Sequence, residues 1–597
     1  MDNLLFYDIE VFKYDSLVVF KNIDNEEVAH FWNEHYDDDE ELVRDKSNGF
    51  REVAQLVKNN ILAGYNNYYY DDIILTKMLL GEQQSTIKRT NDEIIAGTCT
   101  DRPLAMIKSI DMIQQIDIAR PSLKQIEGNM GKSIVESKID FTIDRPLTDE
   151  EKEEVLKYCS YDVENTIEIY KLRKSSYFDT KNELLKMLND KSDMSRYNTT
   201  TIVAKILMPK QSEKWGSIRI TNRHTDIIPP EVWRMWDSWS EDDLFFKDKT
   251  KKTSVDIQLL DCDFTFGFGG LHGVNHFRKE FKNVKLLDVG SMYPSIINLL
   301  NGLSNSTQLY DDIRKERLRI KHTDPVRAGA LKLILNSTYG LMKNKYSTLY
   351  NPYASTTICV FGQIALFDLC KRLYDAGYQL INANTDGIAF NTGIRSVRKP
   401  YTIIWKEWES DYGLTLELDE FDRWIQKDVN NYVATQGDHI KVKGGEVNKY
   451  HKDKLFANNN IRICQIALVN KLLFDIDPIN TINQYLTEDN FQPKLFMYVL
   501  KAGHTFKGVY DVDEFGKPKT KHQNVNRIFA WKETYKSECT KLYKMREDGG
   551  LVNFPDVPDH MKLWNDDLNE IDINDFRKKI DKNFYYKIVN AKLEGWM

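Results

Sequence analysis

An apolar run that ends in paired acids constrains this chain more than any other feature: Leu4-Leu5-Phe6-Tyr7 passes directly into Asp8-Ile9-Glu10. Side chains alternate across a strand, so Asp8 and Glu10 project from one face at the end of an otherwise apolar strand. Two like charges there either invite a cation or stand as surface acids on an edge strand. Related junctions recur further along. KLLDVGSMYPSII reads as a buried strand delivering Asp288 at its end, then a turn at Gly290 and a helix entered through Pro294. QLINANTDGIAF reads as a hairpin whose Asn-Thr-Asp-Gly turn presents Asp386 between two apolar strands. An acid at such a junction faces a cleft.

At roughly 150 residues per unit, 597 residues make about three to five packed units, which excludes a single small binding module. With 29% charged and 41% hydrophobic residues, most of the chain is not intrinsically disordered. No apolar run approaches the ~20 residues that span a bilayer, and acids precede the first basic residue, so no membrane partner and a cytoplasmic location are expected. The seven cysteines are scattered and offer neither a disulfide framework nor a CxxC metal site, so they are expected to be reduced, inert thiols. A net charge of -8 argues against nucleic acid as a partner, but the local field reverses it. Between Arg314 and Lys345 nine basic residues face only Glu316 and Asp324, a block suited to phosphates.

Residues 1–190 alternate strands and helices, with helices through REVAQLVKNNILAG and from Asp149 to Arg173. YDDDEE at Tyr36 to Glu41 is expected to be a solvated loop, and 174–200 a helical connector. Strand-rich sequence over 255–300 and 355–450 is interrupted by a helical, basic stretch at 305–350, as though one sheet carried a helical insertion. Beyond about 450, helical patterns mix with strand-like sequence.

Further acids join the first pair. Asp71 follows the aromatic cluster GYNNYYY, and Tyr158 and Asp162, four apart, share a helical face. About four carboxylates and a water-orienting group are what a two-metal phosphodiester-cleaving site needs. On a helix through ALKLILNSTYGLMKN, the residues Lys332, Asn336, Tyr339 and Gly340 form one face suited to a nucleotide. Arg314, Arg317 and Lys321 share a second basic face, and the backbone N–H groups of Ser291 and Met292 could hold an anion beside Tyr293.

These residues resemble two linked families. DIE, Asn66 through Tyr70-Asp71, and Tyr158 with Asp162 are similar to the three motifs of DEDD 3′-to-5′ proofreading exonucleases. DVGSMYPS, KLILNSTYG and NTDG resemble motifs A, B and C of family B DNA polymerases of bacteriophage type. FGFGGLHG, with Gly269 and Gly270, looks like the template-binding glycine motif; KVKGGE, with Lys441 and Lys443, looks like the primer-binding lysine motif. The resemblance implies a multidomain α/β and α+β chain: an RNase H-like exonuclease domain (1–190), a connector and N-terminal part of the polymerase (191–265), a palm (266–304 and 353–450) carrying fingers (305–352), and a thumb with the C-terminal region (451–597).

By the same resemblance, Asp8, Glu10, Asp71 and Asp162 hold metal in the exonuclease, and Tyr158 positions the water. Asn66, Ser122 and Leu123 contact single-stranded DNA. Asp288 and Asp386 hold Mg²⁺, with Mn²⁺ as a substitute, for polymerisation. Lys332, Arg317, Lys321, Asn336, Tyr293, Ser291 and Met292 bind the dNTP; Gly269, Gly270, Tyr339, Gly340, Lys441 and Lys443 grip primer-template DNA. A helicase or other replisome proteins are the further partners implied. The alternatives are an exonuclease with an impaired polymerase half and a non-catalytic single-strand-binding scaffold. Two positions depart from motif C, where Asn384 replaces the usual Asp and Gly387 the usual Ser. Only 44 positions separate Asp288 from Lys332 and 46 separate Gly340 from Asp386, leaving little room for insertions. Protein-primed bacteriophage polymerases carry large insertions at these two places, so by that comparison extension of an annealed primer, with poor strand displacement, is expected.

Overall fold

The computed structural model describes residues 4–34, 46–117, 120–188, 195–208, 214–219, 225–239, 253–393, 395–456, 461–503 and 505–597. The acidic segment Tyr36 to Glu41 and part of the 174–200 connector lie outside the described residues.

The first sheet is ordered β3-β2-β1-β4-β5. Its strands are β1 (Leu4–Val11), β2 (Asp15–Lys21), β3 (Glu27–Glu34), β4 (Ile61–Gly64) and β5 (Ser109–Asp111). β1, β2 and β3 are antiparallel neighbours, whereas β4 runs parallel to β1 and β5 parallel to β4. Helices α1 (Lys46–Asn59), α2 (Asp71–Leu79), α3 (Gln84–Ile95), α4 (Leu123–Met130) and α5 (Asp149–Arg173) complete this unit. The sequence pattern carries α1 on through Ile61–Gly64, but that segment leaves the helix and pairs with β1. Leu62 and Ala63 are fully buried there, so a non-local sheet contact overrides local helical periodicity. α5 begins where the sequence places it, because Thr148 and Glu151 form a reciprocal capping box.

The second sheet has nine strands in the order β14-β13-β12-β9-β11-β10-β8-β7-β6. These are β6 (Ser254–Leu259), β7 (Cys262–Gly267), β8 (Gly270–Asn275), β9 (Glu280–Val289), β10 (Gln379–Asn384), β11 (Gly387–Asn391), β12 (Leu416–Asp428), β13 (Asn431–Gln436) and β14 (His439–Lys443). Every pairing in it is antiparallel. The sheet starts at Ser254, where the strand-rich sequence is expected to begin. Between β9 and β10 the chain forms helices Met292–Leu299, Thr307–Ile320, Pro325–Lys343 and Pro352–Asp375. The last is long and apolar enough to cross a membrane by length and composition, yet 89% of its apolar window is buried inside the fold. It fills most of the interval between Gly340 and Asp386.

A C-terminal unit, from the helix Arg462–Phe474 onward, mixes helices with three- and four-stranded sheets. It docks on α4. Buried Arg527 donates to the carbonyl of Gly128 (3.1 Å) at the end of that helix, and Leu568 N donates to Gly131 O (2.9 Å).

Candidate active sites

β1 leaves Asp8 and Glu10 on one face, and α5 crosses beside them carrying Tyr158, Cys159 and Asp162. Glu10 is 9% exposed and Asp71, the first residue of α2, is 5% exposed. Burial raises the carboxyls of all four acids, and three of them are raised further by a neighbour: Asp8 by Asp162, Glu10 by Asp8, and Asp71 by Asp8. Asp8 is pushed up to about 7. The structure thus brings together the four acids that the sequence singled out.

Lys124, absent from the sequence-based set, is the cation in contact with this cluster. Its Nζ pairs with Asp162 and lies 3.2 Å from Glu127, 4.7 Å from the Tyr158 ring centroid. Glu127, pushed up to about 8 by burial, is an unanticipated acid beside it. The signal for Lys124 was its place directly after Ser122-Leu123 at the start of α4. Tyr158 hydrogen-bonds Asp162, which keeps its hydroxyl at the cluster. Glu10 has no hydrogen-bond or ionic partner from protein donors among the described residues. A buried carboxylate in that state calls for a cation, and the donor set of carboxylate oxygens fits a hard divalent ion. Cys159, expected to be a reduced, inert thiol, is free and buried, and it lies inside the cluster. Its Sγ and the Asp8 and Glu10 oxygens are all within 4.8 Å of one another.

Around the cluster, Asn66 is exposed at its side chain and adopts a left-handed φ of 64°, with its N–H donating to Asp111 (2.7 Å). Of the three consecutive tyrosines, Tyr68 and Tyr70 are engaged through their hydroxyls with Ser109 O (3.3 Å) and Asn91 (2.6 Å). Tyr69 is 69% exposed, leaving its ring open to a base. Ser122 is the N-cap of α4, its N–H donating to Gln125 (3.0 Å), and Leu123 packs against the core beneath the sheet.

In the nine-stranded sheet, Asp288 on β9 is registered opposite Gly387 of β11, and Val289 N donates to Asp386 O (2.7 Å). Asp288 and Asp386 therefore meet at one edge of two adjacent strands. Burial, then the Asp386 charge, pushes the Asp288 carboxyl up to about 6, while Lys441 and Lys443 on β14 oppose that rise. Burial also raises Asp386. A Cβ at Gly387 would collide with the Asp288 carboxylate as it is placed here. Asn384 does not turn its amide toward the acids; its Nδ2 donates to Val429 O and Asn430 Oδ1, each at 3.2 Å.

The β7–β8 turn brings Gly269 and Gly270 against this edge. Tyr293 donates to Gly269 O (2.9 Å) and stacks on Tyr339 with centroids 4.1 Å apart. Gly270 has a φ of 135°, and a Cβ there would meet Thr385 (3.1 Å) and the Tyr293 hydroxyl (3.2 Å). Lys343 donates to Phe268 O (2.6 Å) and sits 4.4 Å from the Tyr339 centroid, so it belongs to this group although the sequence reading counted it only as charge. Ser291 caps the helix Met292–Leu299 in a left-handed conformation (φ 50°).

Lys332, Asn336 and Gly340 lie exposed along one face of the helix Pro325–Lys343, as the spacing predicts. The second basic stripe is only partly free. Arg314 is held by Asp311 (2.8 Å), whereas no ion pair within 4 Å is formed by Arg317 or Lys321 among the described residues. No direct contact joins Lys332, Arg317 or Lys321 to Asp288 or Asp386 among the described residues.

No protein-family model matches the sequence, and no curated protein matches it. Among solved structures the chain is similar to the family B DNA polymerase of the hyperthermophilic archaeon Pyrobaculum calidifontis, with 13% identity and a TM-score of 0.40 over 99% of this chain and 78% of that one.

Proposed function

We propose that the chain is a DNA-directed DNA polymerase of family B, bacteriophage type, with a 3′-to-5′ proofreading exonuclease. The observation that carries this reading is the pair of separate acid centres. Each sits at strand ends of its own sheet, and each holds carboxylates whose protonation is raised by burial and mutual repulsion.

In the exonuclease centre Asp8, Glu10, Asp71 and Asp162 would hold divalent ions. Tyr158, fixed by Asp162 and by the Lys124 charge over its ring, is positioned to orient a water. Asn66 and the exposed Tyr69 ring would hold the frayed single strand, with Ser122 and Leu123 nearby. In the polymerase centre Asp288 and Asp386 would hold Mg²⁺ or Mn²⁺. When bound, such ions neutralise phosphate charge and activate the attacking oxygen. Tyr293, held by Gly269 and stacked on Tyr339, would lie beside the sugar of an incoming dNTP. The N–H groups at Ser291 and Met292 lie at a helix N-terminus suited to its phosphates. Lys332, Arg317, Lys321 and Asn336 supply donors on the exposed helical faces. Lys441 and Lys443 lie near Asp288, on the side where a primer would end, while Gly269 and Gly340 are exposed toward a template pair and Gly270 and Tyr339 back them from beneath.

Incubating the protein with a labelled primer on a plain template, Mg²⁺ and each dNTP tests this. Template-directed extension is expected with dNTPs, and shortening from the 3′ end without them. Absence of both extension and shortening would end the proposal.

A further inference from the structure

The exonuclease centre contains a ligand atom that two-metal Mg²⁺ chemistry does not call for. Cys159 is fully buried on α5, three residues before Asp162, and its Sγ lies 3.8 Å from Asp8 Oδ2. Two ligands on one tetrahedral zinc ion, at bonds of ~2.3 Å to sulfur and ~2.0 Å to oxygen, are about 3.5 Å apart. Two oxygens on octahedral Mg²⁺ would be about 2.9 Å apart. The Cys159 thiol donates to Asp8 Oδ2 across this 3.8 Å, so sulfur and oxygen already lie close to the first spacing.

Two further observations point to a cation at this place. Glu10, nine-tenths buried, aims its carboxylate at the same spot and has no protein donor or counter-charge in contact among the described residues. Asp162 is paired with Lys124 in the metal-free chain, and the ligand atoms that already lie together are those of Asp8, Glu10 and Cys159. A thiolate is a poor ligand for Mg²⁺ and a good one for borderline-soft ions.

We propose that Asp8, Glu10 and Cys159 form a mixed carboxylate–thiolate site that takes one divalent cation of the zinc class, in competition with Mg²⁺. Binding releases the Sγ proton to solvent and forms a sulfur–metal bond. This inference rests on the exonuclease reading for its consequence, the inhibition of 3′ degradation by traces of zinc, but not for the binding itself.

Co²⁺ titration of the metal-free full chain is the test, because cobalt reports a thiolate ligand through a sulfur-to-metal charge-transfer band. The wild-type chain should show that band. Cys159→Ser should lose it, bind Co²⁺ about tenfold or more weakly, and need correspondingly more Zn²⁺ to halve any Mg²⁺-supported degradation. Asp8→Asn should weaken Co²⁺ binding while keeping the band at saturation. A wild-type chain without the band overturns the proposal whatever the variants do, and a band that survives Cys159→Ser overturns it by assigning the ion to another thiol. A wild-type chain with the band but no Mg²⁺-dependent degradation would keep the metal site and refute the exonuclease reading instead.

Discussion

Replacing Lys124 by Met removes the cation of the first acid centre while keeping a stem of similar length over Tyr158. Lys124 and Asp162 are 13% and 8% exposed at their side chains, so their pairing is not screened as a surface salt bridge would be. Removing one partner of a buried pair costs about 3–5 kcal/mol, because the other charge stays buried and unpaired. Glu127, already raised to about 8, is mostly protonated at neutral pH and adds little. The expected loss is therefore near the lower bound, about 3 kcal/mol at about pH 7. For a unit of this size that is roughly 6–12 °C in its melting temperature. The sign with pH follows from Asp162. Burial raises its carboxyl even with Lys124 present, and without Lys124 it rises further. The variant then binds a proton that the parent does not, so its deficit is largest at high pH and shrinks as pH falls and both proteins protonate Asp162. Calorimetry of parent and variant at about pH 7 and about pH 5 measures this. A deficit equal at both pH values, or none at all, would refute the reasoning.

Other outcomes follow from the second centre. Gly387→Ala should force the Asp288 carboxylate aside and, since an ångström of misplacement costs about a hundredfold, cut primer extension by roughly that factor while leaving 3′ degradation intact; extension kinetics with either activity monitored alone would check it. Asn384→Asp should set a carboxylate against Val429 O and Asn430 Oδ1 and destabilise the chain by about 1–2 kcal/mol, without lowering the Mg²⁺ needed for extension. A clear fall in that requirement would show that the side chain swings to the acids. Tyr293→Ala removes the ring between Gly269 and Tyr339, a stacking contact worth about 1 kcal/mol, and should admit ribonucleotides; unchanged discrimination in an active variant would make Tyr293 a structural residue only.

Much of this organisation is legible in the sequence where it depends on short range. Asp8 and Glu10 share a face because strands alternate, Tyr158 and Asp162 because helices repeat, and Asp386 occupies a hairpin turn because NTDG is flanked by apolar strands. What was not legible depends on contacts between distant segments. Lys124 meets Asp162 across 38 positions, and Asn384 is turned away by a loop 45 positions downstream. The Ile61–Gly64 strand exists because β1 lies beside it. Arg314 is a different case. Its partner Asp311 is one helical turn away and readable, but a stripe counted by cations alone conceals it.

The central claim is that one chain holds two independent metal-dependent centres of opposite effect. Parallel assay of Asp8→Ala and Asp386→Ala on a labelled primer-template, with and without dNTPs, tests it most directly. Asp8→Ala should lose 3′ degradation and keep extension, and Asp386→Ala should lose extension and keep degradation. A folded variant of either kind that loses both activities would contradict the account.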